Sequence, residues 1–170
     1  YDTIGQAMGG LLSLLTDLDD PKPMGISLAD HLTGIFASYG ILAALHGRTI
    51  TGEGQLVETS LLQSMVSFVQ ENAANYFEES RVPRRDTRPR GPQAHCFVAG
   101  DGLPFVIHLS SPEKFWVGLT DAVGRPEMRD DARFADRPAR TQHYDELHHA
   151  LADSFATAPR DEWISRLRED

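Results

Sequence analysis

Asp30 stands inside the stretch "GISLADHLTGIFASYGILAALHGRTITGEGQ" (residues 25–55), directly before a long run of Leu, Ile, Phe and Ala. An acid in that place supports two kinds of chemistry. It can cap a helix by accepting a hydrogen bond from a free backbone N–H. It can also act as a nucleophile, because a carboxylate is ionised at neutral pH without a base and a helix N-terminus stabilises that ionised form. An oriented carboxylate attacks a carbonyl to give a covalent intermediate. The residues alone leave both readings open.

Other chemistry-bearing sets are weaker. "RTITGEGQLV" (48–57) lacks the GxxxxGK[ST] order of a phosphate-binding P-loop and reads as a turn entering a strand. His143, His148 and His149 do not follow the i, i+4 spacing of a helical zinc pair and read as surface histidines; no metal site is expected. Arg81, Arg84, Arg85, Arg88 and Arg90 read as a solvated basic loop, with phosphate recognition by Arg forks as the alternative. Ser110-Ser111-Pro112 reads as a helix start.

The elements that must position these residues follow from periodicity. Residues 3–16 carry Ile4, Met8, Leu11, Leu12 and Leu15 at helical spacing, and Gly5, Gly9 and Gly10 suit close packing on another backbone or a ligand. Residues 17–25 form a Pro- and Asp-rich loop. A helix is predicted over about residues 31–46, capped by Asp30 and stopping near Gly47, with Leu32, Ile35, Phe36, Tyr39, Leu42 and Ala43 on one face. A turn at 51–54 leads to a short strand at 55–60, and residues 60–78 form one amphipathic helix. "RVPRRDTRPRGPQ" (81–93) is an extended linker. A hairpin folds around Gly100-Asp101-Gly102. Helices then start at Pro112, Thr141 and Pro159, the first closing at Gly124.

The 170 residues, 41% hydrophobic and 24% charged, suffice for an ordinary globular core. A net charge of −9 argues against nucleic acid as a partner. No uninterrupted apolar run approaches the ~20 residues of a membrane span, so no membrane partner is expected. The single cysteine, Cys96, fits a reducing compartment and a cytoplasmic location. The chain opens at Tyr1 without Met and closes in helical register, which leads us to expect an internal piece of a longer protein.

Taken as a set, "YDTIGQAMGGLLSLL", "GISLADHLTGIFASYGILAALHGRTITGEGQLVETSLLQS" and "AGDGLPFVIHLSSPEKFWVGLTDAVGRPEM" followed by "DARFAD" resemble the family III CoA-transferases. That group includes formyl-CoA transferase, the carnitine CoA-transferases and the α-methylacyl-CoA racemases. The resemblance covers nearly the whole chain. It implies an α/β fold: the latter part of a Rossmann-like large domain over residues 1–80, a linker at 81–93, and an incomplete small α+β domain over 94–170. It implies that Asp30 attacks an acyl-CoA thioester and passes CoA to a free carboxylic acid through aspartyl anhydride and aspartyl-CoA stages. It implies substrate or CoA contacts at Tyr1, Gln6, Gly91 and Gln93, a CoA thioester as substrate with no permanently bound cofactor, and an interlocked homodimer for the parent. The fragment alone is expected to be inactive. The racemases resemble this fold too, but their His and Glu bases fall where this chain has Tyr1 and Ser111, so transferase is preferred. An inactive truncated module is the remaining alternative. Near residues 90–94, where some members carry a mobile glycine loop, this chain has "RGPQA" with one glycine.

Overall fold

The computed structural model describes residues 1–110 and 112–168. Ser111, the position of the racemase Glu, lies outside the described residues. The chain divides into two compact units, Tyr1–Arg85 and Asp86–Asp170. The division falls within the segment read as a linker.

In the first unit, helices α1 (Asp2–Met8) and α2 (Leu11–Leu15) replace the single helix expected over 3–16. Gly10 breaks it, adopting a left-handed φ of +83°, which glycine takes without steric cost. Gly5 and Gly9 serve close packing as expected. A Cβ on Gly5 would lie 2.9 Å from the Leu61 Cβ, and one on Gly9 only 2.2 Å from the Met65 Cβ. Leu11, Ala29 and Met65 form the buried centre, with Leu28, Leu32, Leu61 and Val69 packed around them.

Helix α3 spans Leu28–Thr51, longer at both ends than periodicity indicated. It runs through Gly47 and stops at Gly52, whose left-handed φ lets its N–H reach the Arg48 carbonyl. By length and composition α3 is apolar enough to cross a membrane, which corrects the expectation drawn from uninterrupted runs. The polar Thr33 and Ser38 interrupt a run but barely lower an average. Residues 55–60 form no strand, because no neighbouring strand among the described residues offers a ladder. They run along α3 instead: a Cβ on Gly40 would meet the Val57 Cγ1 at 2.6 Å. The helix expected over 60–78 is two, α4 (Leu61–Phe68) and α5 (Gln70–Glu79), joined at Val69. Ser60 caps α4 by accepting from the Gln63 N–H at 3.2 Å.

In the second unit, residues 86–93 are not extended. Helix α6 (Thr87–Arg90) forms there, and Arg90 pairs with Asp86 and with Asp145 at 2.6 Å. The hairpin is present: β1 (Ala94–Val98) pairs antiparallel with β2 (Pro104–His108), from Ala94 opposite His108 to Val98 opposite Pro104. Alternation sends His95, Phe97, Phe105 and Ile107 inward. They pack against α7 (Glu113–Ala122), α9 (Tyr144–Phe155) and α10 (Arg160–Arg166) through Trp116, Leu119, Leu147, Leu151, Phe155 and Trp163. The start expected at Thr141 is displaced. Helix α8 (Arg137–Gln142) begins earlier, with Asp136 accepting from the Ala139 N–H at 2.8 Å, and α9 follows after a break at His143. The described residues are thus helix-rich with one two-stranded sheet, and that sheet lies in the second unit.

Candidate active site

Asp30 sits in the first turn of α3, as expected, but it is not the cap. Ser27 holds the N-cap position, and no side chain of that residue bonds the helix end. The acceptor comes from α1: the Asp2 Oδ1 takes the backbone N–H of Asp30 at 3.1 Å. The Asp2 carboxylate is held in turn by Gln6, whose Nε2 donates to Asp2 Oδ2 at 2.5 Å and to the Ile26 carbonyl at 3.1 Å. The Asp30 carboxylate itself is exposed and engages no partner among the described residues. A carboxylate on the first turn of a helix sits where the backbone dipole favours negative charge. The arrangement satisfies the helix end from outside and leaves the acid available for attack.

Of the other residues named from resemblance, Tyr1 precedes α1 and is fully exposed. Gln6 is 1% exposed and lies beneath the Asp2–Asp30 contact; its Oε1 is buried without a partner. Gly91 and Gln93 belong to the second unit. The Gly91 carbonyl accepts from Arg137 Nη2 at 2.9 Å. Gln93 is also 1% exposed and accepts at its Oε1 from Arg140 Nε at 3.1 Å. Arg140 is buried as well; it donates to the Phe134 carbonyl and to Glu113, and lies over the Trp116 ring. The basic loop spends several of its cations in ion pairs, Arg85 with Asp17 and Arg90 with Asp86 and Asp145.

The histidines differ from expectation. His149 is exposed, but His148 is half-buried and stacks on Phe97 with centroids 4.8 Å apart. His95, which the sequence reading passed over, is buried against Tyr144 at 4.1 Å with neither ring nitrogen bonded. Burial, reinforced by His148, pushes its pKa down to about 4, so it is neutral at physiological pH. Among the described residues no group of His, Cys, Asp and Glu could hold a metal ion. Asp2 was also passed over. Its signal is local and weak, an acid at the start of an apolar helix, and nothing in sequence links it to Asp30 across 28 positions.

The comparisons with known proteins agree on one family. The profile described as CoA-transferase family III matches residues 1–170. The succinyl-CoA–D-citramalate CoA-transferase of Chloroflexus aurantiacus is 31% identical over 155 residues, covering 89% of this chain and 38% of that protein. The acetyl-CoA:oxalate CoA-transferase of Acetobacter aceti is 32% identical over 174 residues, covering 99% of this chain and 44% of that protein. A crystal structure of a CaiB/BaiF family protein from Brucella suis superposes with a TM-score of 0.83 at 26% identity, covering 99% of this chain and 45% of that one. The chain therefore spans less than half the length of the relatives it matches. With the profile matched from end to end, the chain belongs to CoA-transferase family III.

Proposed function

We propose that the whole protein moves CoA from an acyl-CoA to a free carboxylic acid, with Asp30 as the covalent nucleophile. The observation that carries this reading is the exposed Asp30 carboxylate on the first turn of α3, free of partners while its own N–H is bound by Asp2. One carboxylate oxygen of Asp30 attacks the thioester carbonyl, the C–S bond breaks, and CoA thiolate leaves a mixed anhydride. The thiolate attacks the aspartyl carbonyl of that anhydride and expels the donor as its carboxylate. The acceptor carboxylate attacks the resulting aspartyl thioester and releases thiolate again. Thiolate then takes the acceptor acyl group, and the Asp30 carboxylate is restored. Each step exchanges one acyl bond for another and needs no external oxidant or base. An anhydride must be shielded from water, so the site has to close around it.

Tyr1 and Gln6 in the first unit, and Gly91 and Gln93 in the second, are the other proposed substrate contacts. Membership of the family, together with relatives named as succinyl-CoA–D-citramalate and acetyl-CoA:oxalate CoA-transferases, supports a CoA thioester as substrate. A Rossmann-like layer completing the first unit, an interlocked homodimer and a cytoplasmic location belong to the same proposal. The apolar face of α3 supports it. Ile35, Tyr39, Leu42 and Ile50 on that helix are exposed, and such a face calls for cover, which we assign to the rest of the protein rather than to lipid or nucleic acid.

The test is trapping. Incubating the whole protein with an acyl-CoA and then hydroxylamine should mark Asp30, located by peptide mass spectrometry. Asp30→Asn should lose turnover while still binding acyl-CoA, since an amide is a far poorer nucleophile. Full transfer by Asp30→Asn, with no mark at position 30, would overturn the reading.

A further inference from the structure

We propose that Asp2 is the positioning residue for the Asp30 nucleophile, acting through the hydrogen bond that its Oδ1 accepts from the Asp30 backbone; this rests on the covalent role of Asp30 proposed above. A helix normally satisfies its first N–H groups with the side chain of its own N-cap residue. Here the N-cap, Ser27, makes no such bond, and an acid from a different helix does so at the residue that carries the reacting carboxylate. The choice of N–H matters. A bond at Asp30 fixes the peptide plane from which its Cα–Cβ vector departs, and so fixes where the attacking oxygen sits.

The supporting contacts make Asp2 a rigid point rather than a mobile surface acid. Asp2 is half-buried, and its second oxygen is held by Gln6. Gln6 is itself enclosed and tied to the Ile26 carbonyl, four residues before Asp30. Below them Gly5 brings α1 against α3 and α4: a Cβ there would lie 3.4 Å from the Ala29 Cβ and 2.9 Å from that of Leu61. The chain Ile26–Gln6–Asp2–Asp30 thus closes a loop around the start of α3. It uses the acid to hold the nucleophile's backbone and leaves the nucleophile's side chain unbonded. An Asp30 that capped its own helix would have to give up that bond before attacking; with Asp2 as the cap it does not.

The measurement is the single-turnover rate of adduct formation on Asp30 in the whole protein, per folded molecule, with KM for the acyl-CoA alongside. Asp2→Ala removes the acceptor. The adduct rate and kcat should fall by about 10²-fold, the loss associated with a misplacement of ~1 Å, while KM stays near its original value. Asp2→Asn keeps an oxygen for the Asp30 N–H. Its NH₂ takes the place of the oxygen that Gln6 Nε2 bonds, so this variant should recover part of the rate and be faster than Asp2→Ala. If Asp2→Ala does not fold, Asp2→Ser serves, since its hydroxyl is too short to reach the Asp30 N–H, and the same slowing is expected. A wild-type adduct rate in folded Asp2→Ala or Asp2→Ser overturns the positioning role and leaves only a structural cap. An Asp2→Asn protein as slow as Asp2→Ala also overturns it, because the bond would then not be what matters. Absence of any adduct on Asp30 in the unaltered protein is a different failure: it removes the covalent reading itself and this inference with it.

Discussion

The two units bury their apolar residues very differently. In Asp86–Asp170 a continuous core runs from Phe97 and Phe105 through Trp116, Phe134 and Leu147 to Phe155 and Trp163. Phe155 meets Phe105 and Trp163 edge to face, at 88° and 89°. In Tyr1–Arg85 the buried apolar centre is Leu11, Ala29 and Met65, while the longest helix leaves Leu42 64% and Ile50 75% exposed. Yet the candidate nucleophile belongs to this second kind of unit. A unit that has closed its own core can be stable by itself. One that holds its candidate nucleophile at the head of an uncovered helix draws part of its stability, and part of the water exclusion the proposed chemistry needs, from whatever covers that helix.

The largest effect that would break this comparison concerns the cores themselves. Leu151 is fully buried, and Leu151→Ala should cost about 2–5 kcal/mol of unfolding free energy in the second unit. Leu42→Ala removes a side chain of the same size from α3 and should change the stability of this 170-residue chain by less than about 0.5 kcal/mol. Denaturant titrations of both variants make the check. If Leu42→Ala costs as much as Leu151→Ala in the isolated chain, the face of α3 is already covered and the contrast is lost. In the whole protein the Leu42 penalty should rise.

A second difference is electrostatic. The second unit encloses a neutral imidazole, His95, facing Tyr144 and His148 from α9, with Asp145 on the same helix and Arg90 on α6 as charges acting on it. Its pKa is pushed down to about 4 in the folded protein, against an ordinary value of 6.5 for the unfolded chain. The folded state therefore binds fewer protons than the unfolded state between those values, and stability must fall as pH drops. The contribution is complete above pH 6.5 and is lost progressively down to about pH 4, on the order of 3 kcal/mol in all. Both tryptophans of the chain, Trp116 and Trp163, are buried in this unit, so their fluorescence follows its unfolding selectively. His95→Phe keeps a ring against Tyr144 and removes both unbonded nitrogens. Its stability should fall less steeply from about pH 6.5 to 5 than that of the native protein, the remaining slope coming from His148, whose pKa burial also lowers. An identical pH dependence in the variant would show that His148 and the carboxylates, not His95, set the slope.

What was legible in the sequence was local. The hairpin was visible because the Gly-Asp-Gly turn lies between two alternating runs, and Gly102 takes the positive φ such a turn needs. The α3 start was visible within three residues because Asp30 heads an apolar face. The helix breaks were harder. Gly9-Gly10 and Val69 interrupt patterns whose periodicity continues across them, so counting apolar spacings gives one helix where there are two. The strand at 55–60 failed for another reason: a strand is a property of its neighbours, and among the described residues this segment has none to pair with. The site was half legible. Asp30 announced itself by type and place, whereas its contact with Asp2 spans 28 residues and depends on Gly5 letting two helices approach. His95 could have been found. It shares the inward side of β1 with Phe97, two positions away, which is the alternation that identified the strand.

The smallest effect compares one cap in each unit. Ser60 accepts from the Gln63 N–H at 3.2 Å, and Asp136 accepts from the Ala139 N–H at 2.8 Å. Replacing either by Ala should cost about 1 kcal/mol if the cap alone matters. The charged acceptor makes the shorter bond, so Asp136→Ala should cost more than Ser60→Ala by a few tenths of a kcal/mol at low salt. Added salt should narrow that gap, because the helix-dipole part of the Asp136 contribution is screened while the neutral Ser60 bond is not. Two context terms act on the pair. Ser60 also donates to the Gln63 Oε1, a reciprocal contact that Ala would remove, and α4 packs on α1 beside Gly5 and Gly9. Loss of the α4 cap can therefore loosen the seat of Asp2, whereas loss of the α8 cap cannot reach it within the first unit. The discriminating measurement is adduct formation on Asp30 alongside the two stabilities. Ser60→Ala should slow it more than Asp136→Ala does, per folded molecule. Equal slowing by both variants would mean that the second unit shares in holding the nucleophile, and that the division of labour between the two units is less sharp than their cores suggest.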